Sequence, residues 1–208
     1  MSLFAVHEED GSVRQQFQYV GPPADLPLLM ASPTPLPPLP PPGTMSALAL
    51  KDFKASFANF SGGAFSSFTS ADWDGLVVAG GAVTTCLTRT VDRNRWRTCA
   101  NADVDIFIVG GTEAQALRRM RRFCAIPSIK QGATFVRTPN TVSIASKSRR
   151  NLQIVLRIYP DVASILAEFD IDSCALAFDG TTVYATERSR RALTTRVNLV
   201  DTAFRSWS

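Results

Sequence analysis

The stretch Asp103-Val104-Asp105-Ile106-Phe107-Ile108-Val109 restricts the fold of this chain more than any other in its 208 residues. Acidic and apolar side chains alternate along it, and a β-strand sends successive side chains to opposite faces. Asp103, Asp105 and Phe107 therefore share one face, while Val104, Ile106 and Ile108 share the other. A strand this apolar belongs in the interior of a sheet, yet it carries two carboxylates at i and i+2. An edge strand with two solvated aspartates is the bland explanation. Paired carboxylates beside a core strand repel each other and need a cation, which favours a divalent-metal site.

Upstream lies Val77-Val78-Ala79-Gly80-Gly81-Ala82-Val83. The segment from Trp73 to Val78 reads as a buried strand that runs into the glycines, with a helix starting after them. Two glycines there let the backbone approach phosphate oxygens, helped by the helix N-terminus. Alone, Gly-Gly after a strand is most often a tight turn. Thr84 or Thr85, early in that helix, offers a hydroxyl, though a helix-surface threonine needs no ligand.

The remaining pattern alternates helices with short strands. Leu48, Leu50, Phe53, Phe57 and Phe60 recur at helical spacing and predict an amphipathic helix over residues 47–60, ended by Ser61-Gly62-Gly63. A second short helical segment is expected over 65–68. Residues 88–101 are polar, basic and without period, as in a loop. Thr112 caps a predicted helix to about Cys124 whose inner stripe is Ala116, Met120, Phe123 and Cys124. Strands are expected at 134–137, 141–145 and 152–159, then a helix over 161–168 capped by Asp161. Segments 174–178 and 182–186 flank Asp179-Gly180, a hairpin signal. The class is α+β, with a small mixed or antiparallel sheet flanked by helices.

Residues 1–44 differ. The proline-dense segment 33–43 favours polyproline II, so 1–44 is expected to be a disordered arm and 45–208 the folded domain. Segment 33–43 also suits a Pro-motif-binding partner, but P-x-x-P is common in plain linkers. Composition then excludes several functions. The four cysteines are scattered without a C-x-x-C pair, and His7 is the only histidine, which argues against a zinc site and against His-based triads. No apolar run approaches the ~20 residues a bilayer requires, and the acidic turn at Glu8-Glu9-Asp10 is unlike a signal peptide. An intracellular protein, cytoplasmic or nuclear, with no membrane association is expected. The net charge of +4 gathers in clusters such as 118–122 and 147–150, which suits solvated surface or a polyanion partner.

Taken together, a strand, Gly80-Gly81, a helix and then Asp103-x-Asp105 on the next strand resemble the signature of the polymerase-beta nucleotidyltransferase superfamily. Gln153-Ile-Val-Leu-Arg157-Ile-Tyr, followed by Ile165-Leu-Ala-Glu-Phe169-Asp170-Ile171-Asp172-Ser-Cys174 and a D-G hairpin, is similar to an uncharacterised group typical of large DNA viruses and fungal ankyrin-repeat proteins. The resemblance implies that Gly80 and Gly81 hold the phosphates of a nucleoside triphosphate, while Asp103 and Asp105 bind Mg2+ or Mn2+. A nucleoside monophosphate would then pass to a hydroxyl of RNA, protein or a small molecule. Thr84 and Arg157 would add contacts to the triphosphate. Active members of the superfamily carry a third carboxylate on a later strand. Here the polar face of 152–159 shows Gln153 and Arg157 and no acid, so the third ligand would have to come from Asp170 or Asp172. The alternative is a catalytically degenerate module that binds nucleotide, RNA or protein.

Overall fold

A computed structural model describes residues 1–23, 40–88 and 102–199. Among these, eight strands form one sheet: β1 (Leu3–Ala5), β2 (Leu76–Ala79), β3 (Val104–Val109), β4 (Ala133–Arg137), β5 (Thr141–Ser146), β6 (Leu152–Tyr159), β7 (Leu176–Phe178) and β8 (Val183–Thr186). Their order across the sheet is β1-β8-β7-β2-β3-β6-β5-β4. Every neighbouring pair is antiparallel except β3 and β6, which run parallel. The expected α+β class is the one observed.

The helices are α1 (Leu50–Phe60), α2 (Ser70–Trp73), α3 (Gly81–Leu87), α4 (Glu113–Ala125), α5 (Pro127–Lys130), α6 (Val162–Ala167) and α7 (Glu187–Thr195). The alternation of β3 divides the core into two. Val104, Ile106 and Ile108 pack with Phe53, Phe57, Val83, Leu87 and Phe123 from α1, α3 and α4. Phe107 packs on the other face with Val77, Ala79 and Ala177, beneath Ile165 and Leu166 of α6. Leu87, Ile106, Leu152, Ile165 and Leu166 are among the largest fully buried side chains, and burying each contributes roughly 1.5–3 kcal/mol.

Local chemistry explains several boundaries. Thr112 caps α4, its oxygen accepting from the Gln115 amide while the Gln115 side chain accepts from the Thr112 amide. Asp161 caps α6 through the Ser164 amide at 2.7 Å. The hairpin between β7 and β8 is closed by Asp179, whose carboxylate accepts from the amides of Thr181 and Thr182. Residues 65–68, expected to be helical, form turns. The aromatic rings of Phe65 and Phe68 pack instead against Trp73 and Phe123, so tertiary contacts override the local pattern. The strand expected from Trp73 starts at Leu76, since Trp73 closes α2.

The expectation of a disordered arm over 1–44 is corrected for residues 1–23. β1 adds to the open edge of β8, pairing Leu3 with Thr186 and Ala5 with Tyr184. Val6, Phe17 and Tyr19 are buried, and His7 bonds the Leu48 carbonyl through Nε2 at 2.9 Å. An edge strand has backbone donors and acceptors to satisfy, and β1 satisfies one side of β8. Residues 24–39, and with them most of the 33–43 segment, lie outside the described residues, as do 89–101 of the expected loop and 200–208. No helix among the described residues is long and apolar enough to cross a membrane.

Candidate functional site

The antiparallel pairing of β2 with β3 sets Ala79, the last residue of β2, directly opposite Asp105. The chain must turn sharply at the next residue to enter α3. Gly80 does this at φ 90°, ψ −150°, a backbone region essentially reserved for glycine. A Cβ on Gly80 would stand 2.8 Å from Phe169 Cε1 and 4.0 Å from Asp105 Oδ2. The glycine turn and the acidic strand therefore meet on one side of the sheet. The Gly80 amide already donates to the Leu176 carbonyl at 3.0 Å. Gly81 is exposed, and a Cβ there would meet nothing within 4 Å. The turn thus offers an open, side-chain-free flank at Gly81 rather than at Gly80.

Asp105 lies on the Phe107 face of β3, half-buried, with Asp103 two residues before it. Burial pushes its carboxyl up to about 6 from the usual 3.8, and the charge of Asp103 adds to the shift. Among the described residues neither carboxylate makes a hydrogen bond or an ion pair. Two acids in this state, one of them desolvated, are a donor set that fits a hard divalent cation. With two carboxylates contributed by the protein, the remaining ligands of such a cation would come from phosphate oxygens and water.

Parallel pairing puts Gln153 of β6 beside Asp105, and antiparallel pairing puts Ser143 of β5 beside Gln153. An amide thus stands next to Asp105 on the strand from which a third carboxylate was expected by resemblance. Gln153 offers an acceptor oxygen and two donors but no negative charge.

The acids further along the chain do not fill that gap. Asp172 is 5% exposed and faces Arg188 and Arg191, at 3.6 and 2.7 Å, and it also accepts from the Leu199 amide. Its expected role as a metal ligand is corrected: two guanidinium groups already compensate the charge. Asp170 is exposed, and no group of three or more His, Cys, Asp or Glu among the described residues could hold a metal. That segment nevertheless reaches the site through Phe169. Its ring packs on Gly80 and sits edge-to-face with Phe107 at 6.1 Å. Sequence reading missed Phe169, although it stands in the same Phe-Asp-Ile-Asp string that drew attention for its acids.

Two further expectations change. The Thr84 hydroxyl donates to the carbonyls of Ser173, at 2.7 Å, and Gly80, at 3.2 Å. It ties α3 to the segment behind it instead of facing a phosphate. Arg157 lies four residues beyond Gln153, roughly 10–13 Å along β6, past a register shift opposite Ile106 and Ile108. It pairs with Glu168 at 2.5 Å and lies over the Tyr159 ring, so it is a surface contact at the other end of the strand.

Fold and site together define an α+β domain in which a glycine turn faces a two-carboxylate strand at the centre of a mixed sheet. The chain belongs to the Gabija anti-defense 2 (Gad2) family, whose model matches residues 51–196. It is also similar to an uncharacterised protein of Acanthamoeba polyphaga mimivirus, 26% identical over 149 residues that make up 63% of this chain and 31% of that protein. Among solved structures it is similar to a CCA-adding enzyme in an apo form, with a TM-score of 0.41 and 17% identity, over 63% of this chain and 31% of that one. The chain spans less than a third of either.

Proposed function

We propose that this chain is a metal-dependent nucleotidyltransferase that moves a nucleoside monophosphate from a nucleoside triphosphate to a hydroxyl acceptor. The observation that carries the reading is the meeting of Gly80 and Asp105, with the side-chain-free flank of Gly81 left open beside them. Asp103 and Asp105 would hold Mg2+ or Mn2+, which when bound supplies positive charge against the negative charge that develops on the phosphates. Gly81 would let phosphate oxygens approach the backbone, and Phe169 holds the turn in place from behind. The acceptor oxygen bonds to the α-phosphorus as the bond to the bridging oxygen breaks. Pyrophosphate leaves with that electron pair, and the hydroxyl proton passes to solvent. The family name points to action against a host defence, and modification of a host component by group transfer would be one chemistry for it.

A second reading rests on Gln153. With an amide beside Asp105 and Asp172 held by two arginines, the site would bind a metal–nucleotide complex without transferring from it. One experiment separates the two: incubation with each labelled triphosphate, Mg2+ or Mn2+, and RNA or protein, beside an Asp103→Ala/Asp105→Ala control. Transfer by the wild type alone supports the enzyme. Equal label in both removes it. Nucleotide binding without transfer, with transfer appearing in Gln153→Asp, supports the binding module.

A further inference from the structure

The two ends of the sheet differ. β1 covers β8 at one end, whereas at the other, among the described residues, β4 pairs only with β5. The Thr138 amide donates to the Thr141 carbonyl, and the pairing from Arg137 opposite Val142 to Ala133 opposite Ser146 continues that register without a bulge. Hydrogen-bonded pairs alternate along an antiparallel ladder, so Thr134 and Val136 bond β5. Ala133, Phe135 and Arg137 turn their amides and carbonyls outward. The bond from the Leu156 amide to the Asn140 carbonyl agrees, since the same alternation turns Val142 and Ile144 toward β6. Open edges are usually blunted by proline, a bulge or charge. β4 has neither proline nor bulge, and its one charged residue, Arg137, stands at its end. Thr134, Phe135, Val136 and Arg137 are all exposed, Phe135 at 42% and Val136 at 52% on opposite faces.

The same edge is cationic. Lys130 ends α5 three residues before β4, Arg137 ends β4, and Lys147 follows Ser146, the residue opposite Ala133. All three are exposed, and among the described residues none has an ion-pair partner. Acids to neutralise them are missing locally, because residues 114–160 hold ten Lys and Arg and no Asp or Glu. A hollow of about 550 Å³ lies against the edge, lined by Gly132, Thr134, Ala145, Ser146, Lys147 and Ser148. Thr134 and Ala145 belong to the Val136 face of the ladder, so the hollow opens on that face.

We propose that β4 is a docking edge that takes an acidic, extended protein segment as an added strand. The open ladder selects a polypeptide over a nucleic acid, since a peptide backbone returns the N–H and C=O groups that Ala133, Phe135 and Arg137 lack. Charge then selects an acidic segment. It also disfavours a second copy of this chain, because pairing two β4 edges would bring two basic 114–160 regions together. Side chains of the added strand alternate between the faces. On the Val136 face a carboxylate enters the hollow and meets Lys147 and the hydroxyls of Thr134 and Ser146. On the other face an apolar side chain covers Phe135. Neither Asp103, Asp105 nor Gly81 takes part, so the docking edge does not depend on the transferase reading.

The test is equilibrium binding of a fluorescein-labelled seven-residue peptide of alternating Glu and Val to the full chain. Two control peptides carry Lys in place of Glu, or N-methyl groups on alternate residues. The Glu peptide should bind about tenfold more tightly than either control. Phe135→Pro removes an outward donor without touching a bond to β5, and should weaken binding about tenfold. Lys147→Glu should weaken it about fivefold, and Lys51→Glu, an exposed charge change on α1, should stay within about twofold of the wild type. Hydrogen exchange on the same samples should show the Phe135 and Arg137 amides open in the free chain and protected by the peptide. Absence of Glu-peptide binding, or equal binding of the Glu and Lys peptides, overturns the docking edge. Protection of those amides before peptide is added does too, since another segment or a second copy then covers β4. Should Phe135→Pro fail to fold, the methylated peptide asks the same question of the intact chain, and its binding as tightly as the parent refutes strand addition.

Discussion

Replacing Asp105 by Asn removes a carboxylate that the folded chain holds at a disadvantage. Burial and the neighbouring Asp103 raise its carboxyl to about 6 from 3.8, a rise of about 2 units. At 1.36 kcal/mol per unit, ionised Asp105 costs the metal-free fold about 3 kcal/mol. The sign follows from where the proton binds more tightly. A carboxyl raised in the folded state favours folding fully below the unfolded value near 4, and that contribution is lost as pH rises through about 6. Asn carries no such loss, so Asp105→Asn should be more stable than the wild type at pH 8 in EDTA by about 3 kcal/mol. For a domain of this size that is about 6–12 °C in Tm. The gap should close near pH 4. Saturating Mg2+ with triphosphate should restore the wild type and leave the variant unmoved, because only a ligand bound to the native state stabilises it. Thermal or urea unfolding from pH 4 to 8 reads all of this. If Asp105→Asn is no more stable than the wild type at pH 8 without metal, burial does not hold the Asp105 carboxylate at a disadvantage.

The glycines give a second test. Gly80→Ala should cost about 2–4 kcal/mol, because its conformation excludes a side chain and Phe169 blocks the Cβ; Gly81→Ala should cost almost nothing in urea unfolding yet weaken triphosphate binding, and unchanged affinity would remove Gly81 from the site. Asp172→Ala should lose about 2–3 kcal/mol in urea unfolding by leaving Arg188 and Arg191 without their acid, and a loss under 0.5 kcal/mol would contradict its role as a structural counter-charge. His7 is held below its usual 6.5, chiefly by burial, so its contribution is present above 6.5 and lost as pH falls below it. Amides of β1 should therefore lose hydrogen-exchange protection on acidification, and a His7→Gln variant should not show that dependence.

How far the sequence reveals this molecule depends on how far apart the interacting residues lie. β6 is legible to the residue because its apolar positions and flanking residues are local. The acids of β3 and the glycines before α3 are legible because strand alternation and a turn are short-range constraints. β1 is not legible: Leu3–Ala5 form a strand only because β8, some 180 residues later, leaves an edge to cover. Asp172 looks like a ligand in a Phe-Asp-Ile-Asp string until α7 brings Arg188 and Arg191 against it. Phe169 was hidden for a related reason. Nothing in its neighbours indicates that it packs on Gly80, since that contact needs the turn, β7 and the segment before β7 already in place.

The proposed transfer requires that two carboxylates and a glycine turn jointly hold a divalent cation on a triphosphate. Titration of Mn2+ followed by electron paramagnetic resonance, with a nonhydrolysable triphosphate present, measures that directly in the wild type and in Asp103→Ala/Asp105→Ala. The wild type should take up Mn2+ in a triphosphate-dependent way, and the double variant should leave both free. Equal uptake by the two proteins would contradict it.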